Sequence, residues 1–419
     1  MSVSPTTRPN HDIAPGPARV TWPGLATPPH SPARARIAEA LFRRAVAPLP
    51  VRVVFAGGER IGTGGPVMRI VRPKAFFHRL GAGSKIGFGE SYMAGDWTST
   101  QLAELLTPFA ATLSTLIPPV LQKVGRRLAE ARTPAADRNT PTGSRANVHR
   151  HYDLSNELFA AFLDESMTYS AAWFAEPADT LAQAQLRKID GVLDMAGVRS
   201  GQHVLEIGTG WGALAIRAAE RGARVTTLTI SAEQATLAQQ RIDAAGVADR
   251  VQVLLRDYRE AQGSYDAVVS VEMIEAVGAE YWPTYFAAID RLLRPGGRVG
   301  LQAITMPHDR MLAARHDYSW IHKYVFPGGL IPSVTAIEEN VAAHTGLRIV
   351  ERRSLGPDYA HTLAHWRRTF LDRWDDVAVL GFDETFRRMW EFYLAYSEAG
   401  FRVGYLDAFQ LSLAERAAL

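Results

Sequence analysis

The 419-residue chain contains no cysteine. That absence excludes disulfides, thiolate metal sites and a cysteine nucleophile, and a protein of the cytosol needs no disulfides. The N-terminal stretch, rich in Pro, Thr and Arg, has no apolar core of the kind a secretory signal requires. No apolar run approaches the length of a membrane span. Acidic residues are scarce in one part only: residues 1–150 carry 20 Lys and Arg against 8 Asp and Glu, whereas the remainder carries 26 against 35. A net charge of +3 hides this split. The basic part is expected to face lipid headgroups or nucleic acid, or to be a solvated basic surface. A hydrophobic content of 47% and a charged content of 21% suit a soluble globular protein, and the length suits two domains.

Residues 1–35 are Pro-rich and aperiodic, and read as a disordered arm. Residues 36–132 read as a small α+β domain. An amphipathic helix over Ala35 to Ala47 sets Ile37, Ala40, Leu41 and Val46 against Arg34, Arg36, Arg43 and Arg44. Two strand-like runs, Val51–Phe55 and Val67–Val71, are joined by a Gly-rich turn. A helix over Lys74 to Leu80, a compact glycine-punctuated block over Ile86 to Trp97, and an apolar helix over Leu102 to Leu116 follow. Residues 133–146 are polar, with Pro, Asp, Asn and Gly, and read as the linker to a second domain, 147–419.

In that second domain Val204–Ile207, Val225–Leu228, Val251–Leu255, Ala267–Val271 and Val299–Ile304 are short apolar runs separated by helical patterns at 211–221, 231–245 and 281–293. Alternation of this kind predicts an α/β fold with a mostly parallel sheet covered on both faces. Ligands then sit at the carboxyl ends of the strands, which directs attention to 206–212, 229–234, 257–259, 272–278 and 302–306. Helical patterns at 308–325, 334–345, 359–374 and 382–399 are placed to cover the mouth, and Leu347–Arg352 and Val403–Leu413 to close the sheet.

The first strand ends in Glu206-Ile207-Gly208-Thr209-Gly210-Trp211-Gly212. Glycines there let the backbone approach a ligand, and the following helix start offers free N–H groups. Glu206 can hold the turn or a ligand amine. A dinucleotide enzyme places an acid after the second strand; here Thr229 stands instead, and the last-glycine spacing of GxGxxG is missing. Both facts weigh against a nicotinamide oxidoreductase. Ser231 is by default a helix N-cap, while Thr229 and Gln234 suit a ribose. Asp257 and Tyr258 follow the third strand, where an adenine edge would lie; the plain alternative is a surface loop. No cluster suggests a metal site.

The motifs His151-Tyr152-Asp153-Leu154-Ser155-Asn156, Thr168-Tyr169-Ser170, the turn from Glu206 to Gly212, Glu275 before Val277-Gly278, and Lys323 through Gly329 occur in order. Together they resemble the cyclopropane-fatty-acyl-phospholipid synthase and mycolic acid methyltransferase family over about residues 147–415. The block Gly87 to Met93 resembles the N-terminal domain of the phospholipid-acting branch. Gln302 to Met306 and Ala395 to Phe401 are most similar to the branch that makes tuberculostearic acid in actinobacteria.

The resemblance implies a class I S-adenosylmethionine-dependent methyltransferase fold, Rossmann-like, with a seven-stranded sheet. It implies methyl transfer to the double bond of an unsaturated acyl chain of a membrane phospholipid, with no nucleic-acid partner. It assigns the cofactor to Tyr169, Ser170, Glu206, Gly208, Thr209, Gly210, Trp211, Gly212, Thr229, Gln234, Asp257 and Tyr258. It also implies a bound bicarbonate as base, at Glu275, Gln302, the backbone of Ile304, and Tyr359. The chain departs from the family at Gln302, where a histidine is usual, at Ala171, where a cysteine is usual, and at Ala276 in place of a common histidine. Gln302 still offers a donor, and Ala171 only its backbone.

Methyl transfer to an alkene leaves a carbocation, so water must be excluded, and aromatic faces stabilise a passing cation. Trp173, Phe174, Tyr318, Trp320, Tyr324 and Phe326 are candidates for that role, each also an ordinary core residue. Proton loss with ring closure gives a cyclopropane. Loss without closure gives a 10-methylene chain, which a separate reductase converts to a 10-methyl branch. The residues lost at 171, 276 and 302 also admit a lipid-binding protein that keeps the fold without catalysis. His151, Tyr152 and Asp153 are expected to hold a lid. A homodimer, and a cytoplasmic location at the inner membrane surface, complete the expectation.

Overall fold

The computed structural model describes residue 22 and residues 24–112, 155–315 and 317–416. The expected linker at 133–146 and the His151-Tyr152-Asp153 motif lie outside the described residues. No helix among the described residues is long and apolar enough to cross a membrane.

The N-terminal unit contains α1 (Pro32–Val46), β1 (Arg52–Phe55), β2 (Arg60–Ile61), β3 (Val67–Ile70), α2 (Pro73–Met93), β4 (Trp97–Thr98) and α3 (Leu102–Thr112). The arm expected over 1–35 is ordered at its described end. Leu25 is buried, its carbonyl accepts from the buried Arg79, and α1 already begins at Pro32, whose fixed φ suits a first helical turn. One anchor and one proline hold this stretch, so no periodic pattern marks it. The two strand-like runs are parallel neighbours, because β2 folds back on β1 and the chain returns before β3 begins. The glycine-punctuated block is helical. α2 kinks at Ser84 (φ 49) and resumes through it. Gly89 lies under the ring of Trp320, where a Cβ would come within 2.5 Å of ring carbon Cδ1. Glu90, next in the block, accepts from Lys323 and Tyr324. The block is therefore a docking face for the second unit.

That unit contains α4 (Asn156–Phe162), α5 (Leu181–Met195), β5 (His203–Ile207), α6 (Ala213–Glu220), β6 (Arg224–Thr229), α7 (Ala232–Ala244), β7 (Val251–Leu255), β8 (Tyr265–Val271), α8 (Ile274–Val277), α9 (Trp282–Leu292) and β9 (Leu293–Thr305). It continues through α10 (His308–Ala314), α11 (Trp320–Tyr324), α12 (Val334–His344), β10 (Leu347–Ser354), α13 (Gly356–Asp372), α14 (Trp374–Val379), α15 (Glu384–Arg402) and β11 (Asp407–Glu415). The seven strands are ordered β10-β11-β9-β8-β5-β6-β7, with β11 alone running against its neighbours. β5 and β8 are buried on both faces, which is why the expected runs Val204–Ile207 and Ala267–Val271 read as apolar but for Glu206 and Ser270. Side-chain caps fix the helix starts: Ser231 accepts from Gln234 N, and Asp383 from Phe386 N.

The two units are not separate bodies. One apolar cluster runs from Phe42, Phe76 and Trp97 through Phe392 and Trp390 to Phe159 and Trp366. α15 is the shared wall, and it is pinned to α2 by the buried Tyr92 hydroxyl, which donates to Glu391 at 2.8 Å.

Candidate active site

The strand order reverses at β5, which pairs with β6 on one side and β8 on the other. Ligands of open parallel sheets bind in the crevice beyond such a reversal. Two loops meet there, the glycine turn after β5 and the segment from Glu272 to Gly278 after β8. Their contact is close. Gly208 has φ +101, and a Cβ on it would lie 2.6 Å from Met273 Cγ.

On the β5 side Glu206 is buried, and its Oε2 has no hydrogen-bond partner. Burial pushes its carboxyl up to about 8, against the pull of Thr227 and of the Lys188 ammonium. The side chains of the turn are tied down: Thr209 Oγ1 meets Thr227 Oγ1 at 2.7 Å, and Trp211 Nε1 donates to Asn156 Oδ1 at 2.8 Å. Gly210 has open space where a Cβ would point, and Gly212 caps α6.

Thr229 and Gln234 are brought together at the end of β6, where the threonine hydroxyl donates to Gln234 Oε1 at 3.0 Å. Asp257 is buried rather than on a surface loop. It caps its own turn by accepting from Arg259 N, and it pairs with the Arg259 guanidinium at 2.6 Å. The Tyr258 hydroxyl is buried without a partner, and burial pushes it up to about 12. Tyr169 meets the Tyr393 hydroxyl at 2.7 Å, and Ser170 Oγ accepts from Lys188 Nζ at 2.6 Å.

On the β8 side the expected residues form two groups. The Glu275 carboxylate accepts from Ile304 N through Oε1, while Oε2 is buried without a partner. Burial, then the neighbouring Glu272 charge, pushes Glu275 up to about 8. Gln302 and Tyr359 both donate to Glu272, at 2.9 and 2.8 Å, and Ala171 N donates to it at 3.0 Å.

Glu272 and Lys188 are the functional candidates that motif reading missed. Two acids three apart just past a strand end are a signal for the first. Lys188 falls on the buried stripe of α5 with Ala184, Ile189 and Val192. Burial lowers it to about 8, opposed by Glu272, Asp164 and Glu206. It thus faces both sides of the crevice.

The aromatic candidates scatter. Trp320 and Tyr324 dock the N-terminal unit, Trp173 lies under the Arg353 guanidinium at 4.1 Å, and Phe174 stacks near His365. Tyr318 stacks on His322. Phe326 packs on Tyr393, which reaches Tyr169. Other rings surround Tyr359, which donates to Glu272: Phe401 lies 4.4 Å and Trp366 6.2 Å from it, and Trp366 lies 5.1 Å from Tyr169.

The model of the mycolic acid cyclopropane synthetase family matches residues 139–411. The chain belongs to this family. Over 94% of its length it is 54% identical to the tuberculostearic acid methyltransferase UfaA1 of Mycobacterium tuberculosis, of which it covers 95%. It is 34% identical to the cyclopropane-fatty-acyl-phospholipid synthase of Escherichia coli over 82% of this chain and 86% of that one. Among solved structures it is similar to the mycolic acid cyclopropane synthase CmaA1 complexed with SAH and CTAB. That match has a TM-score of 0.60 and 33% identity, and covers 65% of this chain and 98% of that one.

The family's cofactor, S-adenosylmethionine, fits the β5 side. A buried carboxylate with an unpartnered oxygen suits a cationic ligand amine, and the open face of Gly210 leaves room for a ligand to approach the backbone. Bicarbonate does not fit the β8 side in the same way. The donors that the resemblance assigns to it, Gln302 and Tyr359, already hold the Glu272 carboxylate.

Proposed function

We propose that this chain methylates the double bond of an unsaturated acyl chain, oleoyl, in a membrane phospholipid. The reaction passes through a carbocation and yields a 10-methylene chain, the precursor of a 10-methyl (tuberculostearic-type) chain. S-adenosylmethionine supplies an electrophilic methyl group on a cationic sulfur. The chain's own residues meet the remaining demands. Glu206 is placed to hold a cationic amine, and the turn to seat the ligand against the backbone. Tyr359, Phe401, Tyr169 and Trp366 pack closely enough to exclude water and to present ring faces to a passing cation. The observation that carries the reading is the buried pair Glu272 and Glu275, set across the strand-order reversal from the glycine turn. A neighbouring charge makes a buried acid harder to ionise, and burial together with the Glu272 charge pushes Glu275 up to about 8.

Incubation with S-adenosylmethionine and oleoyl phospholipid is expected to add one carbon to the acyl chain, read by mass spectrometry of the lipids. Cofactor binding without any carbon gain would leave the lipid-binding alternative. A ring in the product would move the chain to the cyclopropane branch. Conversion of a methylene to a methyl branch needs a hydride source, for which a separate reductase is proposed.

The membrane-facing surface is proposed to be α1. It exposes Ile37 (61%) and Leu41 (38%), one turn apart, beside the exposed Arg34, Arg36 and Arg44. Apolar side chains flanked by arginines suit the boundary of an anionic bilayer. The double variant Ile37→Asp and Leu41→Asp is expected to bind anionic vesicles at least about tenfold more weakly in a sedimentation assay, with cofactor affinity unchanged. Equal vesicle binding would place the membrane contact elsewhere.

A further inference from the structure

Glu272 occupies a costly position. Its φ of 50 lies in the left-handed region, which glycine adopts freely and glutamate does not. Its side chain is buried, and burial pushes its carboxyl up, opposed by the donors around it and by the Lys188 ammonium. Those donors come from separate parts of the fold. Ala171 N lies in the loop between α4 and α5, Gln302 Nε2 on β9, and the Tyr359 hydroxyl on α13. The first two serve Oε1 and the third serves Oε2.

The Gln302 amide is oriented from behind. Gln410 Nε2 donates to Gln302 Oε1 at 3.1 Å, and Gln410 Oε1 in turn accepts from Arg353 at 3.2 Å. A relay whose far end is a guanidinium, which can only donate, turns the Gln302 NH2 toward Glu272. Glu275, by contrast, receives backbone donors only, Ile304 N among them, and keeps one bare oxygen. The geometry makes Glu272 the anion of the pair.

We propose that Glu272 is the base of the reaction. It is a carboxylate belonging to the chain that fills the anion cradle of Ala171 N, Gln302 Nε2 and Tyr359 Oη, so that no inorganic anion is required there. This rests on the methyltransferase reading above. Once the new methyl is bonded to one alkene carbon, its neighbour is cationic. A hydride shift from the methylated carbon to that neighbour moves the charge to the methylated carbon. Glu272 then takes a proton from the new methyl. The C–H bond breaks, its electron pair becomes the π bond of the methylene, and the base ends as a carboxylic acid that returns its proton to water when product leaves.

Two arms test this, and they fail separately. In equilibrium dialysis with radiolabelled bicarbonate, wild-type protein is expected to bind none. Glu272→Gly, which relieves the left-handed backbone and empties the cradle, is expected to bind one per chain. Stoichiometric binding to the wild type, or none to the variant, overturns the proposal whatever the enzyme's substrate is. In the lipid assay Glu272→Gln is expected to lose at least about a hundredfold in kcat while cofactor affinity stays within about threefold. Wild-type turnover is expected to be indifferent to bicarbonate removal, and Glu272→Gly to recover in part when bicarbonate is added. Retention of a tenth of wild-type turnover by Glu272→Gln, or a wild type that needs bicarbonate, overturns it. A wild type that methylates no lipid would instead sink the functional reading, and dialysis would still decide what fills the cradle.

Discussion

Replacing Gly208 by alanine is expected to cost stability and cofactor affinity together. At φ +101 an L side chain is strained, and the new methyl would sit 2.6 Å from Met273 Cγ and 2.9 Å from its sulfur. Backbone strain and overpacking each cost on the order of 1–3 kcal/mol, so a loss of about 2–6 kcal/mol is expected in urea unfolding. Met273 follows Glu272 and precedes α8, which carries Glu275. Pushing it aside therefore disturbs the acids as well as the turn, and cofactor affinity is expected to fall at least about tenfold, equivalent to 1.4 kcal/mol. Adding Met273→Ala should restore the steric part and leave the backbone part, a non-additivity that a double-mutant cycle reads directly. Unchanged unfolding and unchanged cofactor binding in Gly208→Ala would show that the two loops are not in contact.

The parallel sheet was legible because its strands are short apolar runs, the central β5 and β8 nearly wholly buried, separated by helical patterns. Val251–Leu255 begins and ends where its apolar run does. The N-terminal unit was less legible. Parallel pairing of β1 with β3 depends on how the chain returns after β2, which neither strand encodes. The kinked α2 was hidden by glycines that serve packing: Gly89 admits Trp320, and Gly87 lies against the carbonyl of Arg79. Helix propensity penalises such glycines, and tertiary contact outweighs the penalty.

At the site, motif order pointed to the ends of β5, β8 and β9 but not to Glu272, around which the buried donors gather. Glu275, Ile304, Gln302 and Tyr359 were expected around one anion. The structure joins the first two to each other and the last two to Glu272. Glu272 carries no motif of its own. Its importance comes from three donors distant in sequence and from a backbone conformation, neither of which is local information. The departures at Gln302 and Ala171 acquire a reason from it. An amide oriented by Gln410 and a bare backbone N–H are sufficient donors when the anion is a side chain fixed by the chain itself.

Glu275→Gln is expected to reshape the pH dependence of stability. In the unfolded chain this carboxyl titrates near its ordinary value of 4.5, whereas burial and the Glu272 charge push it up to about 8 in the folded protein. Between those values the folded state holds a proton that the unfolded state has released, so stability falls as pH rises. The contribution is fully present below about pH 4.5 and is lost progressively on the way to about pH 8. At 1.36 kcal/mol per pH unit the ceiling is about 5 kcal/mol, an upper bound because Glu272 shares the charge. Glutamine stays neutral throughout and removes this dependence. Without cofactor, the variant and wild type are expected to unfold at similar urea concentrations at pH 5, with the variant pulling ahead steadily toward pH 8. Glu206, also pushed up to about 8, titrates in both proteins, and Glu275 is not among the groups acting on it, so its effect cancels in the difference. A gap between the two proteins that does not change from pH 5 to pH 8 would mean that Glu275 is already ionised in the native state. The division of labour between the two acids would then be reversed.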